Sequence, residues 1–136
     1  MNIGMPPLDH ETIDALAERA YAAYDDGDLG EAHAHFDALL AVAPEAPDYH
    51  YMQGLVGKYL RDWPMSLHHN LRSLALRADT DADEASRWNA AIAATALGDW
   101  TEARRQWADC GIDIPDGDGA IDANFGVTSI RLHAWD

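Results

Sequence analysis

Cysteine is nearly missing from this sequence of 136 residues, since Cys110 is the one example. A single cysteine cannot form an internal disulfide, so the fold cannot depend on one. Long apolar runs are missing too, and none approaches the length needed to span a bilayer. Met1–Leu8 contains no basic residue followed by an apolar run, so we expect no signal peptide. These absences together predict a cytoplasmic protein.

Basic residues are few: there are nine Lys and Arg against 24 Asp and Glu, which gives a formal net charge of −15. Phosphate binding needs a basic surface, so we expect no nucleic-acid partner. The same argument excludes binding to an anionic membrane surface. A basic protein or peptide is the kind of partner that this charge would attract.

The spacings typical of metal and catalytic sites are also missing. His33 with His35, and His68 with His69, lack the i,i+4 spacing that places two imidazoles on one helix face. Cys110 has no Cys-His or Ser-His-Asp motif around it, which argues against a nucleophile. We therefore expect no metal, no cofactor and no enzymatic activity.

What the sequence does contain is a repeated pattern. Gly27–Phe36 and Gly98–Trp107 both read Gly-Asp-Leu/Trp-x-x-Ala-x-x-x-aromatic, and a degraded copy begins at Asp62. The interval from Asp28 to Asp62 is 34 residues, and that from Asp62 to Asp99 is 37 residues. Periods in this range are typical of helical repeat arrays.

The pattern resembles the tetratricopeptide repeat (TPR), a helical hairpin of about 34 residues. The matching residues are Gly27, Asp28, Leu29, Ala32, Phe36, Pro44, Gly54, Ala91, Gly98, Asp99, Trp100, Ala103 and Trp107. The resemblance covers about residues 13–111. It implies an all-α fold, a right-handed α-α superhelix of three TPR-like hairpins. The three repeats would span about 13–46, 47–80 and 84–111, within a repeat region 9–111.

Local signals support six helices. Asp28 with Glu31, and Asp99 with Glu102, have the spacing of a capping box, in which the first residue caps a helix. Inside the third helix, predicted from about Asp48 to Leu60, two glycines each cost about 1 kcal/mol relative to alanine. These glycines, Gly54 and Gly57, are expected where another helix packs closely.

The second repeat departs from the family pattern. Ser66 and Asn70 stand where a small apolar residue and an aromatic residue are usual. Its second helix is therefore expected either to pack loosely or to face something polar.

The ends of the chain are expected to differ from the repeats. Residues 1–8 are predicted to be a flexible lead, and 112–136 a loop followed by a strand-like tail, because apolar and polar residues alternate in Ser129–Trp135. A lone strand leaves its backbone groups unpaired. The tail would therefore pair with a second copy in a homodimer, cover the last helices, or begin a C-terminal domain. We favour a C-terminal domain that continues past Asp136.

The family resemblance also implies a binding groove, because certain positions of each first helix line the concave face. By register these are Tyr21, Tyr24, Tyr51, Leu55, Lys58, Trp88, Asn89 and Ile92. Aromatic anchors on a concave surface suit peptide recognition, although such rings can instead fill gaps between repeats. Lys58 is the one basic residue among them, so the Lys and Asn arrangement that holds chaperone C-termini is not matched. An extended peptide with apolar and basic side chains suits this groove better.

Three functions remain open at this stage. The first is a protein- or peptide-binding TPR scaffold that uses an aromatic concave groove. The second is a structural or assembly module that dimerises, or anchors a C-terminal domain, through its terminal strand. The third is an enzyme whose active site lies in a further domain. We favour the first.

Overall fold

The computed structural model describes residues 10–77 and 84–112, and over these residues the chain forms six α-helices and no strand. The helices are α1 (His10–Asp25), α2 (Leu29–Val42), α3 (Pro47–Leu60), α4 (Trp63–Leu76), α5 (Glu84–Leu97) and α6 (Trp100–Asp109). The prediction of an all-α fold is confirmed. The predicted lead, 1–8, and the tail that follows Ile112 lie outside the described residues.

The helices belong to two compact units, Met1–Glu45 and Ala46–Asp136. In the first unit α1 packs against α2 as a hairpin, and in the second each helix from α3 to α6 packs against the next. Within the second unit α3 also contacts α5. Two successive hairpins thus place their first helices side by side, which is the arrangement of a helical repeat.

The same cap begins the second helix of every hairpin. The side chains of Asp28, Asp62 and Asp99 accept hydrogen bonds from the backbone N–H groups of Glu31, Met65 and Glu102, at 3.2, 3.2 and 3.3 Å. Each bond satisfies one of the N–H groups that a helix N-terminus leaves without an intrahelical partner. The Asp caps predicted for α2 and α6 are therefore present, and the degraded copy at Asp62 keeps the cap as well.

The residue before each Asp cap has a left-handed backbone conformation, with a positive φ angle. Gly27 and Gly98 have φ values of 78° and 72°, and the degraded copy has Arg61 with φ 60°. A residue with a Cβ costs about 1–2 kcal/mol in this conformation. The degraded copy therefore keeps the turn without glycine, at a cost in backbone strain.

Close packing joins α3 to α4. A Cβ atom on Gly54 would lie 2.5 Å from Asn70 Nδ2, and one on Gly57 would lie 2.8 Å from the backbone nitrogen of Ser66. Both distances are shorter than a van der Waals contact permits. Gly57 faces backbone atoms and therefore requires glycine, whereas a larger residue at Gly54 would require the Asn70 side chain to move. The expectation of close packing at Gly54 and Gly57 is confirmed.

Polar groups fill the space between α3 and α4. Ser66 and Asn70 are both fully buried, so the expectation of loose packing is wrong and that of a polar environment is correct. Ser66 Oγ donates to the Gly54 carbonyl at 2.9 Å, and Asn70 Nδ2 donates to the Ser66 carbonyl at 2.8 Å. Among the described residues Asn70 Oδ1 has no hydrogen-bond partner. The interface is thus close-packed, and nearly all of its polar atoms are paired.

An apolar cluster joins α5 to α6. Its fully buried members are Ala91, Ile92, Ala94, Ala103 and Trp107. The indole N–H of Trp107 donates to Thr95 Oγ1 at 2.9 Å, so the one polar atom of this side chain is paired. Among the helices at 10–77 and 84–112, none combines the length and the apolar character needed to cross a membrane.

Substituting Gly57 by alanine tests the close packing of α3 and α4. The added methyl group meets backbone atoms of Ser66, which cannot turn aside as a flexible side chain can. We expect Gly57→Ala to lower the free energy of unfolding by about 1–3 kcal/mol, measured by urea denaturation.

Gly30→Ala is the matched control, since a Cβ on this glycine of α2 meets nothing within 4 Å. It should be neutral or stabilise the protein by up to about 1 kcal/mol, through helix propensity alone. Equal effects of the two substitutions would contradict the packing described here.

Candidate functional site

The eight predicted groove residues are divided between the two units. Tyr21 and Tyr24 lie on α1 in the first unit. The remaining six lie in the second unit, with Tyr51, Leu55 and Lys58 on α3 and Trp88, Asn89 and Ile92 on α5.

Three of the predicted residues meet around one amide, which we call the Asn89 cluster (Tyr51, Lys58 and Asn89). Lys58 Nζ donates to Asn89 Oδ1 at 3.2 Å. The phenol of Tyr51 is hydrogen-bonded to the same Asn89 side chain. Tyr51 and Lys58 are two turns apart on α3, so both lie on one face of the helix. Asn89 is only 6% exposed and fixes the positions of both side chains from α5.

Burial changes the acidity of both titratable groups in the Asn89 cluster. It raises the pKa of the Tyr51 phenol above its usual value, and nearby Tyr59 raises it further while the hydrogen bond with Asn89 acts in the opposite direction. Burial also lowers the pKa of the Lys58 ammonium group. Within the described part of the chain no carboxylate forms an ion pair with Lys58. The cluster thus presents two hydrogen-bond donors without a compensating negative charge.

The side chains next to the Asn89 cluster are apolar or aromatic. Leu55 is half-buried on α3, between Tyr51 and Lys58 along the same face. Tyr59 is 52% exposed, and the centre of its ring lies 5.5 Å from Lys58 Nζ. Tyr59 is not one of the eight groove residues predicted from the sequence. Its position directly after Lys58, at the end of α3, was the available signal.

Two of the predicted groove residues on α5, Trp88 and Ile92, pack against the apolar core of the second unit. Ile92 is 0% exposed and belongs to the apolar cluster with Ala91 and Trp107, so its assignment to the groove surface is corrected here. The ring of Trp88 packs edge-on against Trp107, with centroids 5.0 Å apart and an interplanar angle of 90°. The ring of Trp88 thus fills space between α5 and α6, which was the alternative to a place in the groove.

The first unit has its own surface around Tyr21. This side chain is 36% exposed, and its ring packs edge-on against the buried Phe36 of α2 at a centroid distance of 5.2 Å. An open cavity of about 560 Å³ lies beside it. Its described lining residues all belong to α1: Asp14, Ala17, Glu18, Tyr21, Ala22 and Asp25. Tyr24 is half-buried and does not line this cavity.

Three of the histidines make local contacts. His50 of α3 is buried, and its Nδ1 atom lies 3.0 Å from Nδ1 of His69 on α4, which is a hydrogen-bonding distance. His35 Nε2 lies 3.3 Å from the carboxylate of Glu31. In the segments 10–77 and 84–112 no group of three or more His, Cys, Asp or Glu side chains is placed to hold a metal ion.

Comparison with known proteins shows a likeness in fold. No family model matches the sequence, and no curated protein matches it either. A chain in the solved structure of the CopN-Scc3 complex superposes with a TM-score of 0.68 and 20% sequence identity. The match covers 79% of this chain and 65% of that chain, so this chain spans less than two thirds of its neighbour's length. The likeness supports a helical repeat fold, and the neighbour is part of a protein complex.

The lowered pKa of Lys58 predicts a pH dependence of stability. The native state releases the Lys58 proton at a lower pH than the unfolded state, whose lysine keeps the ordinary pKa of 10.5. Between these two values the unfolded state binds more protons, so stability rises with pH. We therefore expect the wild type to gain stability relative to Lys58→Met as the pH rises toward the ordinary lysine pKa of 10.5.

Urea denaturation at several pH values measures this difference. The phenol of Tyr51 is present in both proteins, so subtracting the two curves removes its own, opposite contribution. Lys58→Arg is the control, since a guanidinium stays charged throughout this range and its curve should run parallel to that of Lys58→Met. If the wild-type curve is also parallel to both, the burial of the ammonium group does not affect stability.

Proposed function

We propose that this chain is a tetratricopeptide-type scaffold that binds an extended segment of another protein along α3, at the Asn89 cluster. The observation that carries the proposal is the sharing of one buried amide, Asn89, by the side chains of Tyr51 and Lys58. Two donors that a third residue holds in place are ordered before any ligand arrives. Such preorganisation reduces the entropy cost of binding.

The chemistry of the cluster favours a polypeptide backbone as the ligand. Because burial raises the pKa of Tyr51, its hydroxyl group stays protonated at neutral pH and remains a donor. The ammonium group of Lys58 is a donor as well. The carbonyl oxygens of an extended segment would accept from both, while its side chains contact Leu55 and the exposed ring of Tyr59. This combination of fixed polar groups with apolar surface is typical of peptide recognition.

Three further observations support a protein partner. The fold is a helical repeat, and repeat folds offer extended surfaces for binding. The structural neighbour belongs to a protein complex. The net charge of −15 disfavours nucleic acid and attracts basic proteins.

A role without catalysis, in the cytoplasm, is part of the proposal. Lys58 donates to the Asn89 amide and Tyr51 is hydrogen-bonded to the same amide, which cannot act as a general base for either group. In the part of the chain that the structure describes, neither side chain is joined to a carboxylate or an imidazole.

Selection from a random peptide library displayed on phage tests the proposal, with the folded protein as bait. The affinity of a selected peptide would then be measured by fluorescence anisotropy. We expect Tyr51→Phe and Lys58→Met each to weaken binding about tenfold, because each removes one hydrogen bond from a partly desolvated site. Tyr51→Phe is preferred to truncation because it removes only the hydroxyl group.

Matched controls use the same substitutions elsewhere. Arg72→Met removes an exposed positive charge from α4, and Tyr49→Phe removes a hydroxyl group two positions from Tyr51, on another face of α3. Both should leave the affinity unchanged. If all four variants are folded and bind the selected peptide as tightly as the wild type, the Asn89 cluster is not the binding site.

A further inference from the structure

We propose that Lys58 is a regulatory acylation site, at which an activated acyl donor, a thioester or an acyl phosphate, converts the side-chain amine to an amide. The inference rests on the proposed function, because it names a covalent modification that would close the Asn89 cluster to a polypeptide. Its test measures chemistry at one atom, Lys58 Nζ, so it can fail separately from peptide binding.

Lysine occurs once in this chain. Of the nine Lys and Arg residues, eight are arginine and one is lysine, Lys58. An arginine guanidinium stays protonated and is a poor nucleophile, whereas a lysine amine becomes a nucleophile when it loses its proton. Lys58 therefore carries the single side-chain amine among the 136 residues, and a modification of amines has one side-chain target.

The surroundings of Lys58 hold its amine in place and favour the uncharged form. Nζ donates to Asn89 Oδ1 at 3.2 Å, and the Lys58 side chain is half-buried. Within the described residues no carboxylate forms an ion pair with this ammonium group. Burial lowers the pKa of the amine, so a larger fraction is unprotonated at neutral pH than in an exposed lysine. Because the residue stays partly exposed, a small acyl donor can reach it from solvent.

The phenol of Tyr51 is placed to assist the attack. Its hydrogen bond with Asn89 acts to lower the pKa of the phenol, which is the effect of a bond donated to the phenol oxygen. Asn89 thus offers its amide N–H to Tyr51 and its carbonyl oxygen to Lys58, so the Tyr51 O–H is left to donate elsewhere. The oxygen of an acyl group at Nζ would accept from this O–H. That bond would strengthen as the oxygen gains negative charge in the transition state.

The reaction needs no reagent besides the acyl donor. The Nζ lone pair attacks the acyl carbon and forms a C–N bond, while the bond from that carbon to sulfur, or to the phosphate oxygen, breaks. The thiolate or the phosphate leaves with the electron pair, and water takes the amine proton. The product is an uncharged amide at Lys58.

The acylated side chain suits the Asn89 cluster. Its amide keeps one N–H, which can donate to Asn89 Oδ1 as the amine does. Its carbonyl oxygen can accept from Tyr51, and the acyl group can lie against Leu55, one turn earlier on α3. The charge that burial disfavours is removed. Acylation would therefore occupy both donors that the cluster offers a polypeptide, and peptide binding would weaken.

Mass spectrometry of the full chain, after incubation with an acyl donor at about pH 8, measures the reaction. The donors are acetyl phosphate and, separately, the thioester S-acetyl-N-acetylcysteamine. The matched control is Lys58→Arg combined with Arg72→Lys, which moves the single lysine to an exposed position on α4. We expect Lys58 to be acetylated about five- to tenfold faster than the introduced lysine by at least one donor, and the faster donor identifies the source of the acyl group.

Two further comparisons connect this rate to the Asn89 cluster. Tyr51→Phe should slow acetylation of Lys58 about three- to tenfold, because it removes the donor to the acyl oxygen. Tyr49→Phe, on another face of α3, should leave the rate unchanged. Circular dichroism verifies that each variant is folded, and in urea the advantage of Lys58 over the introduced lysine should vanish. Equal rates of the two lysines in folded protein, or equal effects of the two tyrosine substitutions, would overturn the inference.

The effect on binding is measured with the peptide selected by phage display. Acetylated protein should bind this peptide about tenfold more weakly, and Lys58→Arg treated in the same way is the control, because it has no lysine to acetylate. Unchanged binding after complete acetylation would refute both the regulation and the place of Lys58 in the binding site. If Lys58 is not acetylated preferentially while Lys58→Met still weakens binding, the modification is refuted and the peptide-binding proposal stands.

Discussion

The close contact between α3 and α4 is the constraint on which the second unit depends. At Gly54 the space that a Cβ would fill is taken by the amide of Asn70, and at Gly57 it is taken by the backbone at Ser66. Helix axes can approach this closely only where side chains are missing from one partner. The two glycines therefore fix which face of α3 packs against α4. The neighbouring face, with Tyr51, Leu55 and Lys58, is left to meet α5.

Buried polar groups make this contact specific as well as close. Ser66 and Asn70 stand at positions where the sequence pattern leads one to expect a small apolar residue and an aromatic residue. The Ser66 hydroxyl donates to the Gly54 carbonyl across the interface. This hydrogen bond fixes the position of α4 along the axis of α3. The price is a buried carbonyl oxygen, Asn70 Oδ1, without a partner among the described residues. A group of this kind costs about 1–3 kcal/mol.

The sequence predicted those features that local rules determine. The Asp caps follow from the fixed distance between a cap side chain and the N–H three residues later, and the glycines follow from their cost inside a helix. The burial of Ile92 and the edge-on contact of Trp88 did not follow, because both depend on how α6 brings Trp107 against α5. Register assigns a side of the helix to a residue, but the neighbouring helix decides how much of that side remains exposed.

The candidate site shows the same division between what is local and what is not. Lys58 and Tyr51 could be grouped from their spacing on α3, whereas their link through Asn89 requires α5 at a particular distance.

The donors of the Asn89 cluster and the net charge of the chain make different demands on a partner, and a basic polypeptide is compatible with both. The Asn89 cluster offers donors, so it needs acceptors, and every residue of an extended chain supplies a backbone carbonyl. The net charge of −15 favours a partner with cationic side chains, which arginine and lysine supply. An acidic partner would satisfy Lys58 but would be repelled by a chain with a net charge of −15. If Lys58 and Tyr51 bind backbone carbonyl groups of the partner instead of acidic side chains, the net negative charge of the chain does not oppose binding.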